Sequence, residues 1–209
     1  MTQTFPICAE GEVWQKCHNV VPVPNELIRR DVLHYAAICL PDRVHWCGGT
    51  KQELQVLRSQ AADEAHQTPS HSQIGSTQTA HDGTVIASRL ARDDSKGALR
   101  QLFHGSMKGR TMYVVPFFLP AEGAEPEIVG LQLTDSAVVA ASVEGAFPSG
   151  DTAWVHLTAG KAFWLCLHAS GNQETPDDRV RWELPLEMTL WAYGPGYGVH
   201  TLRRVLRET

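Results

Sequence analysis

Residues Met112 to Phe118 read Met-Tyr-Val-Val-Pro-Phe-Phe, seven positions without a charge and dominated by β-branched and aromatic side chains. A run of this kind predicts a strand buried on both faces, the strongest single constraint the chain carries on its fold. It is preceded by a small basic turn, Gly105-Ser106-Met107-Lys108-Gly109-Arg110. Two cations thus stand where a loop enters a buried strand, a common position for an anion site. The competing reading is a turn whose Lys108 and Arg110 simply face water.

The rest of the chain divides around this strand. Asn25 to Leu40 carries Leu27, Ile28, Leu33, Ala36, Ala37 and Leu40 at helical spacing, with Asn25 as N-cap and a stop before Pro41. Val44 to Cys47 reads as a short strand and Gly48-Gly49 as a turn. Thr50 followed by Glu53 forms a capping-box pattern opening a helix to about Glu64. Ser95 to Phe103 is an amphipathic helix with Ala98, Leu99, Leu102 and Phe103 inward. Strands are predicted at Ile128 to Leu133 and Val138 to Val143, with Asp135 as an Asx-turn or cap between them. Ala153 to Leu157 and Ala162 to Leu167 suit either helix or strand, and Trp154 and Trp164 are expected in the core or a pocket wall. His168 is expected as a hydrogen-bonded core or edge histidine.

The balance of 43% hydrophobic and 20% charged residues over 209 positions suits one globular domain, here residues 24–209 behind an arm at residues 1–23. A net charge of -5 argues against nucleic acid as a partner. No apolar run is long enough to cross a bilayer, and the N-terminus lacks a basic region followed by an apolar core, so a cytoplasmic, membrane-free protein is expected. The five cysteines, Cys8, Cys17, Cys39, Cys47 and Cys166, include no CxxC pair, which favours free thiols over a disulfide frame or zinc site. His66, His71 and His81 in a polar stretch fit no compact ligand spacing, so no metal is assigned there.

Five segments, in order, resemble the GTP-dependent phosphoenolpyruvate carboxykinases. MKGRTMYVVPF at Met107 to Phe117 is similar to that family's MKGRTMYVIPF. Pro24 to Glu53 is similar to its first helix and strand, with Val44 to Thr50 at the "xIHxCDGS" turn. Ile128 to Val143 resembles IGIELTDSPYVVASM, Phe163 to Gly171 resembles FIKCLHSVG, and Leu186 to Tyr193 is similar to PELTLIAH. The resemblance spans roughly Pro24 to Tyr193. It implies an α/β (α+β) fold, a mixed β-sheet with flanking helices like that family's N-terminal, substrate-side domain. The family's nucleotide-binding half follows that region, and no GxxxxGK[ST] loop occurs in this chain. By itself the chain is therefore expected not to catalyse GTP-dependent phosphoryl transfer, and no cofactor is assigned.

The resemblance also frames the candidate site. Gln73 aligns with an arginine that contacts the substrate carboxylate in the family, so a bidentate guanidinium anchor is replaced there by a neutral amide. Lys108 and Arg110 could supply charge, His71 or His104 a proton carrier, Gln73, Ser76 and Thr77 neutral hydrogen bonds, and Tyr113 or Tyr197 a phenol. Gly194-Pro195-Gly196-Tyr197-Gly198 has two readings. Either it matches the family's GSGYGG, placing Tyr197 and Gly198 at the substrate, or it is a hairpin turn with Val199 to Val205 as return strand. The hairpin is preferred because it needs no large gap.

Three functions follow. The preferred one is an enzyme of a biosynthetic pathway acting on a carboxylate or keto/enol intermediate by decarboxylation, lyase or cyclisation chemistry. The second is a non-catalytic metabolite-binding or regulatory module, expected to form homo-oligomers that cover the surface otherwise buried against a kinase half. The third is the substrate half of a split carboxykinase.

Overall fold

The computed structural model describes residues 5–6, 26–67, 95–120, 126–160, 162–171, 180–184, 187–194 and 196–208. Expectations resting on Asn25, His71, Gln73, Ser76 and Thr77 lie outside the described residues, as does nearly all of the 1–23 arm.

Among the described residues, seven strands form one mixed sheet: β1 (Phe5–Pro6), β2 (Arg43–Trp46), β3 (Thr111–Pro120), β4 (Pro126–Thr134), β5 (Trp164–Ala169), β6 (Val180–Leu184) and β7 (Thr189–Tyr193), in the order β1-β2-β3-β4-β5-β7-β6. β2 runs parallel to β3, and β4, β5 and β7 run parallel to one another in the opposite direction. The described helices that cover the sheet are α1 (Glu26–Cys39), α2 (Lys51–Gln67), α3 (Ser95–Phe103), α4 (Ala137–Ala146), α5 (Asp151–Thr158) and α6 (Val199–Glu208).

The central strand is buried on both faces, as its composition predicts. Met112 and Val114 pack with α1, α3 and α5, including Ile28, Val32, Phe103 and Trp154. Tyr113, Val115 and Phe117 point the other way, onto Leu57 of α2, Val139 and Val143 of α4, and Leu202 and Val205 of α6. The period-two alternation of the pleat thus divides the chain into two cores, one per face.

Four expectations are corrected. Val138 to Val143 is not a strand but part of α4, whose N-terminus is capped by the Ser136 hydroxyl accepting from Val139 N–H. Its β-branched, apolar composition reflects burial, which periodicity alone does not separate from a strand. Val199 to Val205 is not a hairpin return strand but α6. Leu202, Val205 and Leu206 recur at helical spacing on its buried face, and β7 takes β6 as its antiparallel neighbour instead. The buried stripe of α1 is Ile28, Val32, Ala36 and Cys39, which leaves Leu27, Leu33 and Leu40 exposed. Asp135 makes neither an Asx-turn nor a cap; it turns inward to the pair described below.

Candidate functional site

The register of the sheet lines up a row of polar side chains across the face covered by α2, α4 and α6. His45 stands opposite Tyr113, Tyr113 opposite Thr134, and Thr134 opposite His168. Directly opposed residues share a face, so the row is continuous. Its far end lies where the parallel strands β4, β5 and β7 all finish, the position at which open α/β sheets form ligand crevices.

His168 is held from both sides. Its Nδ1 lies 2.8 Å from Thr134 Oγ1 and its Nε2 lies 3.3 Å from the Gly194 carbonyl. A carbonyl only accepts, so Nε2 carries the proton and Nδ1 accepts from the Thr134 hydroxyl. That hydroxyl oxygen in turn accepts from Ser136 N–H at 3.1 Å. Burial holds the imidazole pKa down, to about 4. The ring is therefore neutral at physiological pH.

Tyr197 lies flat on this imidazole, with centroids 4.7 Å apart and planes 14° from parallel. Its hydroxyl donates to Gln132 Oε1 at 2.5 Å. Gln132, wholly buried in β4, donates its amide to the carbonyls of Leu133 and Cys166, which fixes Oε1 toward the tyrosine. Next to this stack, Arg110 Nη1 pairs with Asp135 Oδ2 at 2.7 Å; the aspartate side chain is fully buried and the arginine 36% exposed. Asp135 Oδ1 also accepts from the N–H and hydroxyl of Ser170. Burial pushes the Asp135 carboxyl up, opposed by Arg110 and the Ser170 donors. Arg110 Nη2 donates to the carbonyls of Ser106 and Gly171. One guanidinium thereby straps the basic turn to the ends of β4 and β5.

The description of residues 73–204 as a phosphoenolpyruvate carboxykinase N-terminal domain accounts for most of this region. The chain belongs to the phosphoenolpyruvate carboxykinase N-terminal domain family. It is 31% identical to the GTP-type phosphoenolpyruvate carboxykinase of Arthrobacter sp. (strain FB24), over 80% of this chain and 33% of that protein. To the enzyme of the same name from Anaeromyxobacter dehalogenans (strain 2CP-C) it is 30% identical, over 87% of this chain and 34% of that protein. The Treponema pallidum (strain Nichols) enzyme is 28% identical, over 79% of this chain. The chain spans about a third of the length of these relatives.

Within this carboxykinase domain, the sequence-derived candidates separate. Arg110 and Tyr197 lie at the same strand ends. Tyr113 stands in the same polar row, its hydroxyl bonded to Gln60 Oε1 at 3.1 Å and its pKa raised by burial to about 12. Gly198 opens α6, its carbonyl accepting from Leu202 N–H. Lys108 and His104 are exposed on the turn. Sequence reasoning missed Gln132, Thr134 and Ser170 as participants. The one available signal was Gln132, a polar residue inside the otherwise apolar run Ile128 to Leu133.

The neutral state of His168 has a measurable consequence. Its pKa is lower in the folded than in the unfolded chain, so its contribution to stability is complete above pH 6.5 and is lost as pH falls toward 4. The difference amounts to about 3 kcal/mol. His168→Gln is expected to remove that component. Urea unfolding of both proteins between pH 7 and 4.5 reads it, and parallel pH profiles would refute it.

Proposed function

We propose that the chain binds a small carboxylate or keto/enol-type ligand at the ends of β4, β5 and β7, as the substrate-side domain of a carboxykinase without phosphoryl transfer of its own. The observation that carries this reading is the ordered convergence of Arg110, His168, Ser170 and Tyr197 at one edge of the sheet. Every polar group there is fixed by a named partner. Such preorganisation lowers the cost of holding a ligand, because few side chains lose freedom on binding.

The same tuning supports binding over turnover. Proton transfer by a decarboxylase, lyase or cyclase is most efficient when the carrier's pKa lies near the working pH. His168 is held near 4 and Tyr113 near 12. Lys108 supplies an exposed cation at the rim and Tyr197 a half-buried ring.

Thermal unfolding in the presence of small dicarboxylates and keto acids tests the proposal. A ligand at one hundred times its dissociation constant stabilises by about 2.7 kcal/mol, which is roughly 5 to 11 °C for a chain of this size. The shift is expected for the parent protein and is expected to shrink in Lys108→Ala and Tyr197→Phe. No shift with any such acid, or an equal shift in all three proteins, would reject the site.

A second reading rests on the match of residues 73–204 to the carboxykinase N-terminal domain: the substrate half of a split carboxykinase. It predicts GTP-dependent formation of phosphoenolpyruvate from oxaloacetate only when the chain is mixed with a separate chain carrying a nucleotide half.

A further inference from the structure

At the opposite end of the polar row, beneath the Gly48-Gly49 turn, a second set of polar side chains is left unexplained by the strand-end site. His45, Cys47 and Glu53 are all buried, and a ligating atom from each lies within 4.8 Å of the others. His45 Nε2 is 2.7 Å from Glu53 Oε1. The other glutamate oxygen accepts from the N–H groups of both Gly48 and Gly49 at 2.8 Å, so the carboxylate is oriented by the turn itself. The backbone of Cys47 is equally fixed. Its N–H donates to the Val114 carbonyl, and its carbonyl accepts from Trp154 Nε1.

Glu144, from the last turns of α4, borders this group on the side of the Cys47 thiol. It is 8% exposed, and both of its carboxylate oxygens are buried without a conventional hydrogen-bond donor. What it faces is the Cys47 thiol, a weak donor, and the Glu53 carboxylate. Among the described residues no lysine or arginine pairs with either glutamate. Two carboxylates and a thiol thus share one buried space in which His45 is the basic group beside Glu53 and no described lysine or arginine reaches Glu144. Such an arrangement is costly unless a proton or a cation neutralises it.

We propose that His45, Cys47, Glu53 and Glu144 form a binding site for a divalent transition metal ion, zinc in particular. One nitrogen, one sulfur and two oxygens make a four-coordinate set of the type zinc accepts. The thiolate argues against magnesium or calcium, which take oxygen ligands. On binding, the Cys47 thiol gives its proton to solvent and its sulfur coordinates the ion. The His45–Glu53 contact is replaced by bonds from both residues to the same metal. The amides of Gly48 and Gly49 remain on the second Glu53 oxygen and hold it in place.

The test uses the full chain, stripped with a chelator and titrated with zinc and with cobalt(II) as a spectroscopic substitute. The expected result is one ion per chain, a thiolate-to-cobalt charge-transfer band, and a rise in melting temperature with zinc. The band should persist in the Cys8→Ser/Cys17→Ser protein and vanish in Cys47→Ser. Glu144→Gln, which keeps the shape and removes one donor charge, should weaken binding by at least about tenfold; it decides the matter if Cys47→Ser does not fold. Absence of the band in the parent protein, its loss with Cys8 and Cys17 but not Cys47, or unchanged affinity in Glu144→Gln would each overturn the site.

Discussion

Arg110→Ala is expected to lower the free energy of unfolding by about 2 to 3 kcal/mol and to abolish stabilisation by small carboxylates. Removing one partner of a buried ion pair leaves the other uncompensated, and Asp135 is the partner that is fully buried. The low end of the range for such losses applies because the arginine is 36% exposed and water screens part of the interaction. The effect on binding has a separate cause. Without the guanidinium the strand ends present a bare carboxylate, which repels an anionic ligand, and the Gly105 turn loses its link to Gly171 and Asp135 together with the brace on its own Ser106 carbonyl. The double variant Arg110→Ala/Asp135→Asn separates these roles. It should recover most of the stability while binding stays lost. Urea denaturation and ligand-induced thermal shifts measure the two quantities. Full stability in Arg110→Ala would show that the pair is not the strap described here.

Gly150→Ala is expected to be more damaging still, at about 3 to 4 kcal/mol. A methyl group at this position would meet the Gly48 carbonyl oxygen at 2.3 Å and Gly49 Cα at 2.8 Å, and both are backbone atoms that cannot rotate away. Gly150 also holds φ +67 and ψ -143, a conformation essentially reserved for glycine that costs a side-chain-bearing residue about 1 to 3 kcal/mol. Overpacking adds roughly 1 to 3 kcal/mol more. Gly49 sits in the reciprocal position, with φ +71 and a Cβ that would come within 2.5 Å of Gly150 Cα. The two backbones touch, and that contact fixes the turn after β2 against the start of α5. Gly160→Ala is the control, because it shares a positive φ of +77 but has open space around it. It should show the conformational penalty alone. Equal losses at Gly150 and Gly160 would mean that the backbone contact contributes nothing.

Several parts of this architecture are legible in the sequence for local reasons. Ser95 to Phe103 forms the helix its spacing predicts, and Thr50 Oγ1 accepts from Glu53 N–H as the capping pattern requires. His168 is the hydrogen-bonded buried histidine expected from its place at the end of an apolar run. The Glu53 side chain departs from the capping box, reaching past its own helix to Gly48, Gly49 and His45. Helix α4 and helix α6 depart from the expected strands for different reasons. In α6, Leu202, Val205 and Leu206 stand at helical spacing, and the hairpin is preferred from sequence because it needs no large gap against the family. In α4 the apolar residues are dense, and the partner surface that selects helix over strand comes from elsewhere in the chain. For α4 that includes Glu64, which accepts from Ser136 Oγ and from Ala137 N–H at the helix start, across more than seventy residues.

The sequence by itself determined the buried strand from Met112 to Phe118, the basic turn before it and the carboxykinase family, because each resides in a contiguous run of residue types. Only the tertiary structure decided what those residues face. The pairing of Arg110 with Asp135, the stacking of Tyr197 on His168 and the meeting of Cys47 with Glu144 all join distant segments, and they depend on strand register. A one-position slip in register would turn His168, which lies within β5, to the other face of the sheet and shift the strand ends that carry Arg110, Asp135 and Cys47.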